Sequence, residues 1–138
     1  MANVVSVKFK QIVGEGYDIA NATLKVMLLS GYTPTSAMDY VSEFSAYEVD
    51  GVGYERKTLT NVELFRDNTN GVMTLSADDV TWSAANFNAD GAVLFNYNSS
   101  GDAYSEFMIY FDFGGNQESQ NTPFVIEWSD AEGILRYR

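Results

Sequence analysis

Between Tyr104 and Tyr137 the large apolar side chains recur every second residue: Phe107, Ile109, Phe111 and Phe113, then Phe124, Ile126 and Trp128. A period of two lines one face of an extended strand, whereas a helix would scatter these side chains around its axis. Gly114-Gly115 and Asn121-Thr122-Pro123 supply backbone that can leave a strand, and Asp130 to Gly133 is a further turn candidate. The pattern predicts three strands, over 107–113, 124–129 and 134–137. Phe111, Phe113, Ile126 and Trp128 are its expected core residues, since aromatic rings of this size dominate core energetics.

The rest of the chain carries similar signals. Thr23 to Leu29 reads as a strand with Leu24, Val26 and Leu28 facing the core, ended by Gly31-Tyr32-Thr33-Pro34. Val4 to Val13 alternates imperfectly and reads as an opening strand or, with the preceding residues, an N-terminal arm over 1–13. Gly14-Glu15-Gly16 closes it as a turn, because no helix or further glycine follows to make a phosphate loop. Thr35 or Ser36 caps a short helix over 37–44, with Met38, Val41 and Phe44 on one side. Tyr47 to Tyr54 is a glycine-punctuated loop. Lys57 to Arg66 reads as a strand, Asp67-Asn68-Thr69-Asn70-Gly71 as a hairpin turn with positive φ at Asn70 and Gly71, and Val72 to Ser76 as the partner strand. Further strands are expected through Asp79–Trp82 and Gly91–Tyr97, with Asn98–Asp102 as a second hairpin loop. Turns roughly every 10–15 residues indicate an all-β fold: an antiparallel β-sandwich or jelly-roll-like barrel with one short helix, as a single domain over 1–138.

Composition narrows the chemistry. At 138 residues, 46% of them hydrophobic, the chain is long enough to bury a real core. No apolar run reaches bilayer-spanning length, and Met1 to Val5 lacks the basic region and apolar stretch of a secretory signal, so neither a membrane partner nor export by that route is expected. There is no cysteine and no histidine. Disulfides, thiolate metal sites and every triad that uses His are thereby excluded. The net charge of −11 disfavours nucleic acid, whose phosphates call for clustered Lys and Arg. It reads first as a solubility device and second as an acidic surface for a basic partner or for cations.

The candidate acid–base residues are Asp39 with Glu43, Asp78 with Asp79, Asp112, Glu127, and Asp130 with Glu132. Paired carboxylates can hydrolyse glycosides, but most of these sit in turns, where Asp is favoured for local hydrogen bonding. Asp67 to Asp78 faintly resembles a calcium loop; its glycine comes one position early and its twelfth residue is Asp78, so a plain turn is expected. The residues thus predict no enzyme, no cofactor and no metal. The tyrosines, among them Tyr17, Tyr32, Tyr40, Tyr47, Tyr54, Tyr97 and Tyr104, suit protein–protein contacts better than sugar stacking. Val5, Val7, Phe9, Tyr47 and Tyr54 are the candidate interface residues.

Several segments taken together resemble small virion proteins of tailed bacteriophages: Tyr47-Glu48-Val49-x-Gly51-x-Gly53-Tyr54, Asp78-Asp79-Val80-Thr81-Trp82, Ala92-Val93-Leu94, Phe111-Asp112-Phe113-Gly114-Gly115-x-Gln117, Phe124-x-Ile126-x-Trp128 and Gly133-Ile134-Leu135. The likeness runs from Leu24 to Tyr137 and lies in order and spacing, since no segment is a catalytic signature. It implies a structural protein of the virion, assembled in the bacterial cytoplasm. The first expectation is a head decoration (cement) protein that binds the major capsid protein or another virion protein as a homo-oligomer, with a trimer at local three-fold positions as one form. A head–tail connector, a tail or fibre-associated protein, and a carbohydrate-binding β-sandwich remain alternatives.

Overall fold

The computed structural model describes residues 3–128 and 134–137. The chain is mostly β, built as two antiparallel sheets with one α-helix, in a sandwich-like arrangement. Strands β1 (Val4–Val5), β2 (Leu24–Leu29), β3 (Lys57–Thr58), β6 (Val80–Asn96) and β7 (Glu106–Ile126) form a five-stranded sheet in the order β1-β7-β6-β2-β3. Strands β4 (Glu63–Asp67), β5 (Val72–Ser76) and β8 (Leu135–Tyr137) form the second sheet, in the order β4-β5-β8. The helix α1 spans Val7–Gly14.

The five-stranded sheet is buried on both faces. Leu24, Val26 and Leu28 of β2 join a larger cluster with Phe9, Leu75, Trp82, Ala92 and Leu94. Met27 and Leu29, on the other face of the same strand, join a smaller cluster with Val41, Phe44, Val93, Phe95, Phe107 and Tyr110. A strand buried on both faces reads as a continuous apolar run, and Leu-Lys-Val-Met-Leu-Leu is nearly that.

The long hairpin of β6 and β7 is the backbone of the sheet, and its irregularities correct the expected strand phases. Leu94 pairs with Ile109 and Phe95 with Phe107, so Met108 is an unpaired extra residue. Such a bulge puts two successive side chains on one side. Met108 and Ile109 accordingly both enter the larger cluster, while Phe107 and Tyr110 enter the smaller. The run Phe107, Ile109, Phe111, Phe113 therefore does not share one face. Farther along, Ala89 pairs with Gln117 and Gly91 with Asp112, leaving Asp90 opposite the four residues 113–116. The expected break at Gly114-Gly115 is this wide bulge, and the strand resumes beyond it through Pro123 to Ile126. Of the four expected core residues, Ile126 is buried, whereas Phe111, Phe113 and Trp128 are half-buried at the margin of the larger cluster. The fully buried aromatics include Trp82, Phe9, Phe44, Phe95, Phe107 and Tyr110.

The helix lies where a strand or arm was expected. Ser6 caps it, with extended backbone (φ −63°, ψ 138°) and an Oγ that accepts from the Phe9 N–H. Phe9, Ile12 and Val13 then follow at helical spacing and pack into the larger cluster. The valines ahead of the cap make only the two-residue strand β1, paired at Val4–Tyr110 and Val5–Ile109. Residues 37–44, expected to be helical, instead carry a single 3-10 turn at Val41–Glu43, followed by another at Ser45–Tyr47. Val41 and Phe44 are nevertheless buried, capping the smaller cluster. The strand expected over 57–66 is split into β3 and β4 by Asn61, whose φ is +53°.

The β4–β5 hairpin forms as expected but by different chemistry. Asp67 pairs with Val72, so the loop has four residues, and of these Gly71 alone has positive φ. The Asp67 carboxylate accepts from the N–H groups of Thr69 and Asn70 and from the Asn70 side chain. That local hydrogen bonding is the reason Asp opens such turns. Strand β8 is present, while the turn expected over 130–133 lies outside the described residues. Among the described residues no helix is long and apolar enough to cross a membrane.

Candidate functional site

The loop between β2 and β3 crosses the β6–β7 hairpin at one junction, where Tyr54, Trp82, Phe87, Phe113 and Phe124 meet. Gly51 and Gly53 let the loop backbone press onto β6: a Cβ at Gly51 would overlap the Asn86 carbonyl oxygen, and one at Gly53 the Ala84 carbonyl oxygen. Val52 forms a bridge to Asn86 between them. Tyr54 then stacks over Trp82, with centroids 6.3 Å apart and planes 18° from parallel, and Phe87 meets both rings edge-on. The Trp82 indole N–H donates to the Glu55 carbonyl at 2.7 Å. Phe124 packs on Trp82 and Phe87, and Phe113 on Phe124.

An ion network closes the same junction. The Tyr54 hydroxyl donates to Glu48 Oε2 at 2.5 Å and accepts from the Leu28 N–H at 3.1 Å. Arg56 binds Glu48 through Nε and Nη2, both at 2.9 Å, and Asp102 through Nη1 and Nη2 at 2.7 and 3.0 Å. Its guanidinium also lies over the Phe95 ring, 5.4 Å from the centroid. The Arg56 hydrogen bonds hold the Asp102 carboxyl below its ordinary value, and those of Asp102, then Glu48, raise the guanidinium still further. Burial, then the hydrogen bond to Glu48, pushes the Tyr54 phenol well above the ordinary tyrosine range. A carboxylate spent on arginine and a phenol that stays protonated are a poor base and a poor nucleophile.

Glu48 and Asp102 were missed in the sequence, and of the carboxylates flagged there Glu43, Asp78, Asp79 and Asp112 hold local structure. Glu43 Oε2 accepts from the N–H groups of Asp39 and Tyr40. Asp78 accepts from Thr60 and Asn61, Asp79 from the Trp128 N–H, and Asp112 from the Gly114 N–H. Glu127 is exposed. Asp130 and Glu132 lie outside the described residues. Among the described residues no three of His, Cys, Asp and Glu cluster as a metal site would require.

The five candidate interface residues fall into different environments. Val7 and Tyr47 are exposed, at 56% and 44%. Val5 is half-buried in β1, Phe9 is in the core, and Tyr54 belongs to the junction. Tyr47 stacks face to face on Tyr32, with centroids 4.3 Å apart and planes within 9°. This pair was not legible from spacing, because fifteen residues separate its members. Val52, Phe65, Tyr104 and Val125 are also exposed. Comparison with protein-family models, with curated proteins and with solved structures gave no match to this chain.

Proposed function

We propose that this is a structural protein of a tailed-phage virion that works by protein–protein contact, most simply as a decoration protein on the head. The observation that supports this reading is the junction itself. Of the residues that carry the resemblance, Gly51 and Gly53 serve close approach, Tyr54, Trp82, Phe113 and Phe124 pack their rings, and Glu48 joins a network with Arg56 and Asp102, so their work here is to hold a shape. A rigid body that keeps exposed apolar side chains at Tyr47, Val52, Phe65, Tyr104 and Val125 is suited to docking, since aromatic and apolar anchors supply most of the hold in an interface. Docking on the shell would add buried interface at each lattice site, with an oligomeric state that follows the site's symmetry.

Co-sedimentation of the purified protein with empty phage heads tests this. Saturable binding at a fixed ratio to the capsid subunit is expected, and heads that bring down no protein overturn it. Binding to tails or connectors in place of heads moves the protein to another part of the particle. The Tyr32–Tyr47 stack favours one alternative, a sugar-binding face, because an exposed ring backed by a second ring is a flat apolar platform. Glycan-array binding lost in Tyr47→Ala would select that alternative.

A further inference from the structure

The outer edge of β7 is paired along only half its length. Near the hairpin loop, Phe107 donates to the Asp39 carbonyl and Ser6 to the Met108 carbonyl, and β1 pairs with Ile109 and Tyr110. The Asn3 side chain accepts from the Asp112 N–H. Beyond the wide bulge, β6 continues along one side of β7 from Gln117 to Ile126, and no described residue pairs with the other side. An unpaired edge is a template for an added strand, and here Asn121, whose φ is +53°, and Pro123, which has no N–H, divide it into two extended stretches, 117–120 and 124–126. Beside it lies an open groove of about 410 Å³ lined by Phe113, Gln117, Phe124, Val125, Ile126 and Glu127, with Val125 45% exposed.

Charge selects the occupant. Between Arg66 and Arg136 the chain has eleven Asp and Glu and no Lys or Arg, so both strands of the long hairpin are without cations. Glu118 lies on the free stretch and Glu127 in the groove wall. A second copy added edge to edge about a two-fold axis between Thr122 and Pro123 would set Glu118 across from Glu127 of the other copy, and like charges facing across strands are destabilising.

We infer that the free edge of β7 over Gln117–Ile126 binds an extended segment of a different protein, one that alternates apolar side chains with Lys or Arg, by adding it as a strand. Backbone hydrogen bonds hold the segment, its apolar side chains enter the groove beside Phe124 and Val125, and its cations meet Glu118 and Glu127. The inference rests on the contact-protein reading only for the nature of the partner, and its test needs no virion.

The test uses the whole protein and synthetic ten-residue peptides: one alternating Val and Lys, one alternating Val and Glu, one with the Val–Lys composition in two blocks, and the Val–Lys peptide N-methylated at every second residue. Titration followed by backbone amide chemical shifts reads both affinity and place. The alternating Val–Lys peptide is expected to bind with shifts confined to 113–127, more weakly at high salt, and roughly tenfold more weakly to Glu118→Lys/Glu127→Lys protein, as loss of charge complementarity requires. The Val–Glu, block and N-methylated peptides are expected to fail. Equal binding of the block or methylated peptide, shifts mapping elsewhere, no binding at about 1 mM peptide, or a dimer of the protein alone whose contact maps to 117–127 would each overturn the inference. Peptide binding without head binding overturns the virion reading and leaves the edge standing; head binding without peptide binding does the reverse.

Discussion

Arg56 and Asp102 meet through two parallel hydrogen bonds, at 2.7 and 3.0 Å, across a sequence separation of 46 residues. The bidentate pair ties the loop before β3 to the β6–β7 hairpin loop, and Glu48 holds the guanidinium from the other side. The three side chains are only 20–33% exposed, so this is stronger than a surface ion pair and weaker than a buried one. Arg56→Ala takes from Asp102 both of its Arg56 hydrogen bonds, leaves Glu48 with the Tyr54 hydroxyl alone among the described residues, and is expected to cost about 1–3 kcal/mol in urea denaturation. The Asp102 carboxyl is depressed in the folded state, so its contribution is present above the unfolded value of about 4 and is lost as pH falls through the folded one. Stability curves below about pH 4 should therefore be flatter for Asp102→Asn than for the parent; equal slopes would show that the pair carries no linkage.

Tyr54 makes the opposite prediction at high pH. Its folded pKa is raised above the unfolded value of about 10, first by burial and then by Glu48. Its contribution is thus fully present below about pH 10 and declines as pH rises, because the unfolded chain ionises first. Tyr110 is raised too, mainly by burial, and adds to the same window. Tyr54→Phe should lose about 1 kcal/mol at pH 7 from its two hydrogen bonds and should then show a shallower loss between pH 9 and 11, read by urea midpoints. An unchanged alkaline slope would place the effect on Tyr110 alone.

Gly53 separates two costs that glycine substitutions usually mix. Its φ is +81°, and an added Cβ would also overlap the Ala84 backbone. Gly71 has φ +66° and open space around its Cβ position. Gly71→Ala should therefore cost only the left-handed backbone penalty, about 1–2 kcal/mol. Gly53→Ala should add the cost of overpacking, about 1–3 kcal/mol more. Thermal melts in which the two variants lie within a degree of each other would show that the β2–β3 loop moves aside freely.

The all-β class and most strand positions were legible because strand signals are local: period-two patterning, Asn-Gly and Pro-bounded turns. The errors come from interactions that no short window contains. Met108 is a bulge only because Phe95 takes Phe107 and Leu94 takes Ile109, and that choice resets the face of every residue after it. Val4 to Val13 carried β-rich composition, yet the Ser6 cap and the Phe9, Ile12, Val13 spacing were present as a helical signal beneath it. Val41 and Phe44 do face one side, as expected, but without the expected helix, since a 3-10 turn also brings residues three apart to one side. At the junction the motif residues Tyr54, Trp82 and Phe124 could be named from the sequence, but their convergence could not, because they come from three separate segments, and Arg56 and Asp102 carried no signal at all.

The N-terminal segment gives the clearest remaining test, because its two sequence readings predict different behaviour on truncation. Phe9 is 2% exposed and packs in the larger cluster, while Val7, two residues earlier, is 56% exposed. Ser6 is fully buried, with its N–H on the Met108 carbonyl and its hydroxyl on the Met38 carbonyl, so the segment also clips the 36–38 stretch to the sheet. Phe9→Ala should therefore cost about 3–5 kcal/mol, the usual range for deleting a buried ring. Val7→Ser should stay within about 0.5 kcal/mol, as surface substitutions do. Deleting residues 2–13 removes β1, the Ser6 clip and Phe9 together, and should leave a protein that no longer unfolds cooperatively on heating. A truncated protein that melts like the parent but has lost head binding would instead make the segment an arm, with its packing on β7 dispensable to the fold.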